Sequence, residues 1–134
     1  MNEGQAATAK ASQAAAYDAT MDFPAIVGAL IAAGFEGYTV DYRRKACTYY
    51  LPNGDSIELP LPPDDEAVAA EFVGEIVRAA IREAQSGAAG YTYQGFCQKV
   101  KAAGCAGYIV SFSGRRVVYF GRTADTHVEH FPNP

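Results

Sequence analysis

Little in this chain suggests a catalytic centre, and each shortage closes off a class of function. Only two histidines occur among 134 residues, His127 and His130. The three cysteines, Cys47, Cys97 and Cys105, are odd in number and show no CxxC spacing. That opposes a disulfide framework or a zinc site. Each sits among apolar neighbours, so buried, inert thiols in a reducing cytoplasm are expected. No apolar run approaches the ~20 residues that a membrane helix needs, and the first residues lack the charged-then-apolar order of a secretory signal. Eleven Lys and Arg stand against fifteen Asp and Glu, a net charge of −4. Nucleic-acid binders usually present a basic face, so that partner is not expected. GxGxxG, Walker, HExxH, GxSxG and EF-hand patterns are all missing, and no cofactor or metal is implied.

What is present is a soluble, single-domain composition: 49% hydrophobic, 19% charged and 12% aromatic residues. A chain of this length can bury a core of its own. Charge is unevenly spread. Residues 1–66 carry ten acids and four bases, and residues 67–134 carry five acids and seven bases. The acidic half and the basic half can attract one another, within one chain or between two.

The chain also repeats itself. Residues 32–51, AAGFEGYTVDYRRKACTYYL, lie over residues 102–121, AAGCAGYIVSFSGRRVVYFG, without a gap. Seven of the twenty positions are identical, including Gly34/Gly104, Tyr38/Tyr108, Val40/Val110 and Tyr49/Tyr119. That density argues for a duplication with two units, about 5–62 and 64–132, sharing one core. After a one-residue shift, Ile57-Glu58 also matches Val128-Glu129. In each unit a helical stripe precedes the shared block: Phe23, Ile26, Val27, Leu30 and Ile31 in the first, Tyr93, Phe96, Cys97 and Val100 in the second. Asp22 and Thr92 suit the caps, and Gly34 and Gly104 the stops. Three short strands follow each helix, near 37–43, 45–51 and 56–60, then 107–112, 115–120 and 126–131. A longer helix, capped by Asp64-Asp65, with Val68, Phe72, Ile76, Val77, Ala80 and Ile81 on its apolar side and stopped by Ser86-Gly87, is expected to link the units. The Ala-rich stretch from Gln5 to Ala19 is expected to be helical and prone to fraying. The fold class is therefore α+β: a helix-helix-strand-strand-strand unit used twice, an antiparallel sheet with helices on one face.

The AGxxGYxV strand, the aromatic second strand and the segment TYQGFCQKVKAAGCAGYIVSFSGRRVVYFG resemble the YbcV-like family of small bacterial and prophage-encoded proteins, which carry domain of unknown function 1398. The likeness is strongest over residues 92–121, on Cys97, Ala103-Gly104, Tyr108, Val110 and Tyr119. It implies a shared fold and a bacterial, phage-linked origin, and no activity. The Ala-rich N-terminus departs from the family pattern.

A two-residue turn at Arg43-Arg44 sets Tyr38 opposite Tyr49 and, one unit on, Tyr108 opposite Tyr119. Alternation places these tyrosines under the helices, as core pairs or as the lining of a pocket. The other face of the second unit carries Ile109, Val118 and Phe120, too apolar for water. A second copy of the chain, or the N-terminal helix, is expected to cover it. Candidate ligand-binding residues follow from side-chain type: Asp41, the matched basic turns with Arg43 and Arg115, and the pair His127 and Glu129 on one face of a strand. The sequence favours a non-catalytic module that forms a homodimer and binds a protein partner or small ligand. The alternative is a small enzyme or ligand sensor working in a groove between the two units.

Overall fold

Asn2 opens the first helix. Its side chain accepts the Gln5 N–H while the Gln5 side chain accepts the Asn2 N–H, so two free donors are satisfied reciprocally. This helix, α1, spans Glu3–Asp18 in the computed structural model, which describes residues 1–132. It docks firmly: Ala9, Ser12 and Ala15 are buried, and small side chains let it approach its neighbours closely. Helix α2 (Phe23–Ala32) starts at Asp22, whose carboxylate accepts the Ala25 N–H, with Pro24 in the first turn. Strands β1 (Gly37–Asp41), β2 (Ala46–Tyr50) and β3 (Ser56–Pro60) follow. The same order then recurs: α3 (Gly74–Ser86), α4 (Tyr93–Ala102), β4 (Cys105–Ser111), β5 (Arg116–Gly121) and β6 (Thr126–His130). Thr92 caps α4 by accepting the Gly95 N–H.

The six strands form one sheet in the order β3-β2-β1-β4-β5-β6, antiparallel throughout. With helices packed against it, the fold is α+β. Both hairpins have the register that alternation predicts: Tyr38 faces Tyr49, Val40 faces Cys47, Tyr108 faces Tyr119 and Val110 faces Val117. At the centre β1 pairs with β4, and Thr39 lies opposite Ile109. Backbone bonds recur at a constant spacing along the chain. Tyr42 N–H reaches Ala106 O as Phe112 N–H reaches Glu36 O, and Leu61 N–H reaches Lys45 O as Phe131 N–H reaches Arg115 O. The third strands keep that spacing without the expected one-residue shift. Ile57 pairs with Tyr49, and His127, not Val128, pairs with Tyr119. The likeness of Ile57-Glu58 to Val128-Glu129 is one of chemistry and not of position.

Tyr38, Val40, Cys47, Tyr49, Leu59, Tyr108, Val110, Val117 and Tyr119 are buried on the helix side, with Leu30, Val77 and Val100 from three helices against them. The tyrosines are core pairs: ring centroids lie 5.2 Å apart for Tyr38/Tyr49 and 5.3 Å for Tyr108/Tyr119. The Tyr93 and Tyr108 hydroxyls bond to each other.

Two further expectations are corrected. The linking helix begins at Gly74, not near Asp64. Asp64 binds Lys101 instead of capping a helix, while Ala69 N–H and Val73 N–H bond Lys101 O and Ala103 O. Residues 61–73 are thus tied as irregular chain along the end of α4. Val68 and Phe72 precede the helix, and Ile76 is exposed. Second, α1 contacts α2, α4 and β3 on the helix side of the sheet, so it does not cover Ile109, Val118 and Phe120.

Candidate functional site

The residues singled out in the sequence fall into three places. Asp41 ends β1, and its carboxylate accepts the N–H groups of Arg43 and Arg44 at 3.0 and 3.1 Å. Its first job is local: it ties the turn. Arg43 is exposed there. Arg115 takes a left-handed conformation in the β4–β5 turn, donates to Pro132 O at 2.8 Å and lies over the Phe131 ring. Because β1 and β4 are antiparallel, Asp41 lies opposite Gly107, while Ser111, which leads into the other turn, lies opposite Gly37. The two basic turns therefore sit at opposite ends of the sheet and do not converge on one anion.

His127 and Glu129 share the helix-facing side of β6, His127 next to Tyr119 and Glu129 next to Val117. His127 Nε2 is 3.7 Å from Glu129 Oε2 and is buried without a hydrogen-bond partner among the described residues. At the same rungs β3 carries Ile57 and Leu59. The pair replaces apolar packing with two titratable groups, half-buried against the helical layer, where α3 approaches β6. Among the described residues no group of three or more His, Cys, Asp or Glu is placed to hold a metal ion.

Ile109, Val118 and Phe120 lie on the open face. The central rung crosses the sheet as Glu58, Thr48, Thr39, Ile109, Val118 and Val128. It is polar on the first half and wholly apolar on the second. Ile109 is 45% exposed and Val128 38%. Phe120 is half-buried, its ring against Gly107. Asp41 and Glu58 give the first half of this face acidic groups, and Arg116 and His130 give the second half basic ones.

A further cluster escaped the sequence reading. Where α4 crosses the end of the β1–β2 hairpin, a cavity of about 20 Å³ is bounded by Tyr17, Tyr42, Lys45, Asp64, Cys97 and Lys101. Lys101 is 4% exposed, paired with Asp64, with its ammonium 5.5 Å from the Tyr42 ring centroid. The hydrogen bond from Lys101 holds the Asp64 carboxyl below the usual range. The Tyr42 hydroxyl is buried, lies beside Cys97 and makes no hydrogen bond of good geometry. Burial pushes the Tyr42 phenol and the Cys97 thiol upward, so both stay protonated at neutral pH. A shallow groove of about 370 Å³ adjoins the cavity, sharing Tyr17, Leu61 and Pro62 with it and walled by Lys10, Ala14, Pro60 and Pro63. The signal was present in the sequence. Seventy residues away, Tyr42 corresponds to Phe112, and Cys97 and Lys101 correspond to Val27 and Ile31. The polar residues gather on one side only.

The model of the family described as Protein of unknown function (DUF1398) matches residues 12–129, and the chain belongs to that family. No curated protein matches it.

Proposed function

We propose that this DUF1398 protein is a non-catalytic, self-associating module of the cytoplasm, built by duplication and akin to the YbcV-like proteins of bacteria and prophages. The observation that carries the reading is the open sheet face, apolar across Ile109, Val118 and Val128 and covered by no helix among the described residues. A second copy of the same chain is the occupant. Charge alone favours laying the acidic half of one copy on the basic half of the other. Exposed ion pairs contribute about 0.2–1 kcal/mol each. Fully burying an aliphatic or aromatic side chain contributes about 1.5–3 kcal/mol. Apolar half on apolar half therefore wins, which is the isologous arrangement of a twofold dimer.

The size of the face sets the affinity. Strands about 4.8 Å apart with about 3.3 Å per residue make the three-strand apolar half about 250 Å² per copy, so two copies bury about 500 Å². That is below the size of stable specific interfaces, so the dimer is weak and concentration-dependent. The first half of the central rung supplies the test. Exchanging Ile109→Thr, Val118→Thr and Val128→Glu writes the polar half of that rung onto the apolar half and keeps a β-branched residue at the two inner positions. Sedimentation velocity across the micromolar range is expected to show a monomer–dimer equilibrium for the wild type and a monomer for the variant. A wild type that stays monomeric at every concentration, or a variant that still dimerises, overturns the proposal.

A further inference from the structure

We infer that the cavity at Tyr42 and the groove beside it form a binding site for a small monocarboxylate with an apolar body. The inference goes beyond self-association and rests on the opposite face of the sheet. Its first support is the unspent hydroxyl. Tyr42 buries its O–H at the cavity without a partner of good geometry, and a buried polar group left unmade is costly. The second support is contrast within the chain. At the corresponding end of the other half, Phe112 takes the place of Tyr42 and Val27 that of Cys97. Phe112 and Val27 are buried core residues, so the scaffold closes well without polar groups there. Stability does not require the Tyr42 hydroxyl.

The third support is charge. Lys45 and Lys101 line the cavity with Asp64 as the sole acid, which leaves one positive charge unmatched. Lys10 adds another along the groove. The cavity has room for about one water-sized group, which admits one oxygen of a carboxylate head and excludes a bulkier group. Beyond it the groove offers Ala14, Pro60, Leu61, Pro62 and Pro63, an apolar wall for a ring or a short chain. Its volume lies within the range of small-molecule sites, about 300–1,000 Å³. A carboxylate seated there accepts from the Tyr42 hydroxyl and lies next to the Lys45 ammonium, while the apolar tail leaves water along the proline wall.

The test uses the full chain, with hexanoate and benzoate as probes and 1-hexanol and inorganic phosphate as comparisons, followed by amide chemical-shift titration. Saturable shifts at Tyr42, Lys45, Leu61 and Lys101 with both carboxylates, and none with hexanol, are expected. Tyr42→Phe, which copies Phe112, is expected to weaken hexanoate binding about tenfold or more, the effect of one lost hydrogen bond to a charged group, while melting no lower than the wild type. Lys45→Gln is expected to weaken it similarly. Absence of saturable shifts overturns the inference. So does hexanol binding as tightly as hexanoate, which marks a merely apolar groove, or phosphate binding more tightly than either carboxylate. Unchanged affinity in Tyr42→Phe also overturns it.

Discussion

Gly104 shows how much one residue can decide. It follows α4, has φ of +90°, and a Cβ built on it would run into the backbone of Glu71 and Phe72. Those atoms belong to the segment that Ala69 and Val73 bond to the end of α4, so they cannot give way. Gly54 has nearly the same backbone angle, φ +95°, but a Cβ there meets nothing within 4 Å. The pair separates conformational strain from collision. Gly54→Ala is expected to cost about 1–2 kcal/mol, the left-handed penalty alone. Gly104→Ala adds overpacking against backbone, for a total of about 3 kcal/mol or more. Urea unfolding of both variants measures the difference, and equal losses would show that the Glu71 segment yields.

At the scale of elements, the two edge strands are the informative contrast. Strand β3 turns Ile57 and Leu59 toward the helices, while β6 turns His127 and Glu129 there. Inward charges on an edge strand discourage pairing with another chain, at a cost in packing. Restoring the β3 residues through His127→Ile and Glu129→Leu removes a buried nitrogen without a partner and is expected to raise stability by about 1–2 kcal/mol. For a chain of this size that is a rise of several degrees in Tm, visible by calorimetry. A lower Tm would mean that the polar pair is fully satisfied in solution.

The same strands mark the limit of what sequence reveals. Hairpin register was legible because alternation and turn residues are local: Tyr38 opposite Tyr49 follows from counting across Arg43-Arg44. The offset of β6 was not, since Val128-Glu129 imitates Ile57-Glu58 in composition while facing the other way. The start of α3 was misread for a different reason. Asp64 is a good cap, but Lys101, 37 residues away, claims its carboxylate, and no local window contains both. The Tyr42 cavity draws on α1, the β1–β2 turn, the 61–73 segment and α4, so no single motif encodes it. Only the departures from the internal correspondence, Tyr42 for Phe112 and Lys101 for Ile31, hinted at it.

For the molecule as a whole, the unusual feature of the core is its load of protonated acids. Burial raises the thiol of Cys47 to about 12 and that of Cys105 to about 11, from an ordinary 9.0. It also pushes the phenols of Tyr38, Tyr42, Tyr93 and Tyr108 well above 10.0. All of these groups are neutral when folded and ionise earlier when unfolded. Their contribution is fully present below the unfolded values and is lost progressively as pH rises from the unfolded toward the folded values. Stability is therefore expected to hold at neutral pH and to fall from about pH 9 upward. By about pH 10 each buried thiol has shifted the balance toward the unfolded chain by about 1 kcal/mol, with the phenols adding to it. Asp64 acts in the opposite direction. Its folded value is depressed by Lys101, so its contribution is present above 3.8 and is lost as pH falls below that value. Asp55, hydrogen-bonded to the N-terminal ammonium, is depressed as well, and since two carboxylates stand against several thiols and phenols, alkali is the steeper side. Urea unfolding between pH 3 and pH 11 reads the whole profile. Substituting Cys47→Val, whose counterpart is Val117 in the matching strand, should flatten the alkaline limb and leave the acid limb unchanged. If the alkaline limb keeps its slope in that variant, the Cys47 thiol is not among its causes. The decline must then be assigned to Cys97, Cys105 and the tyrosines, and the ionisation absorbance of the phenols, followed through the same transition, separates their share.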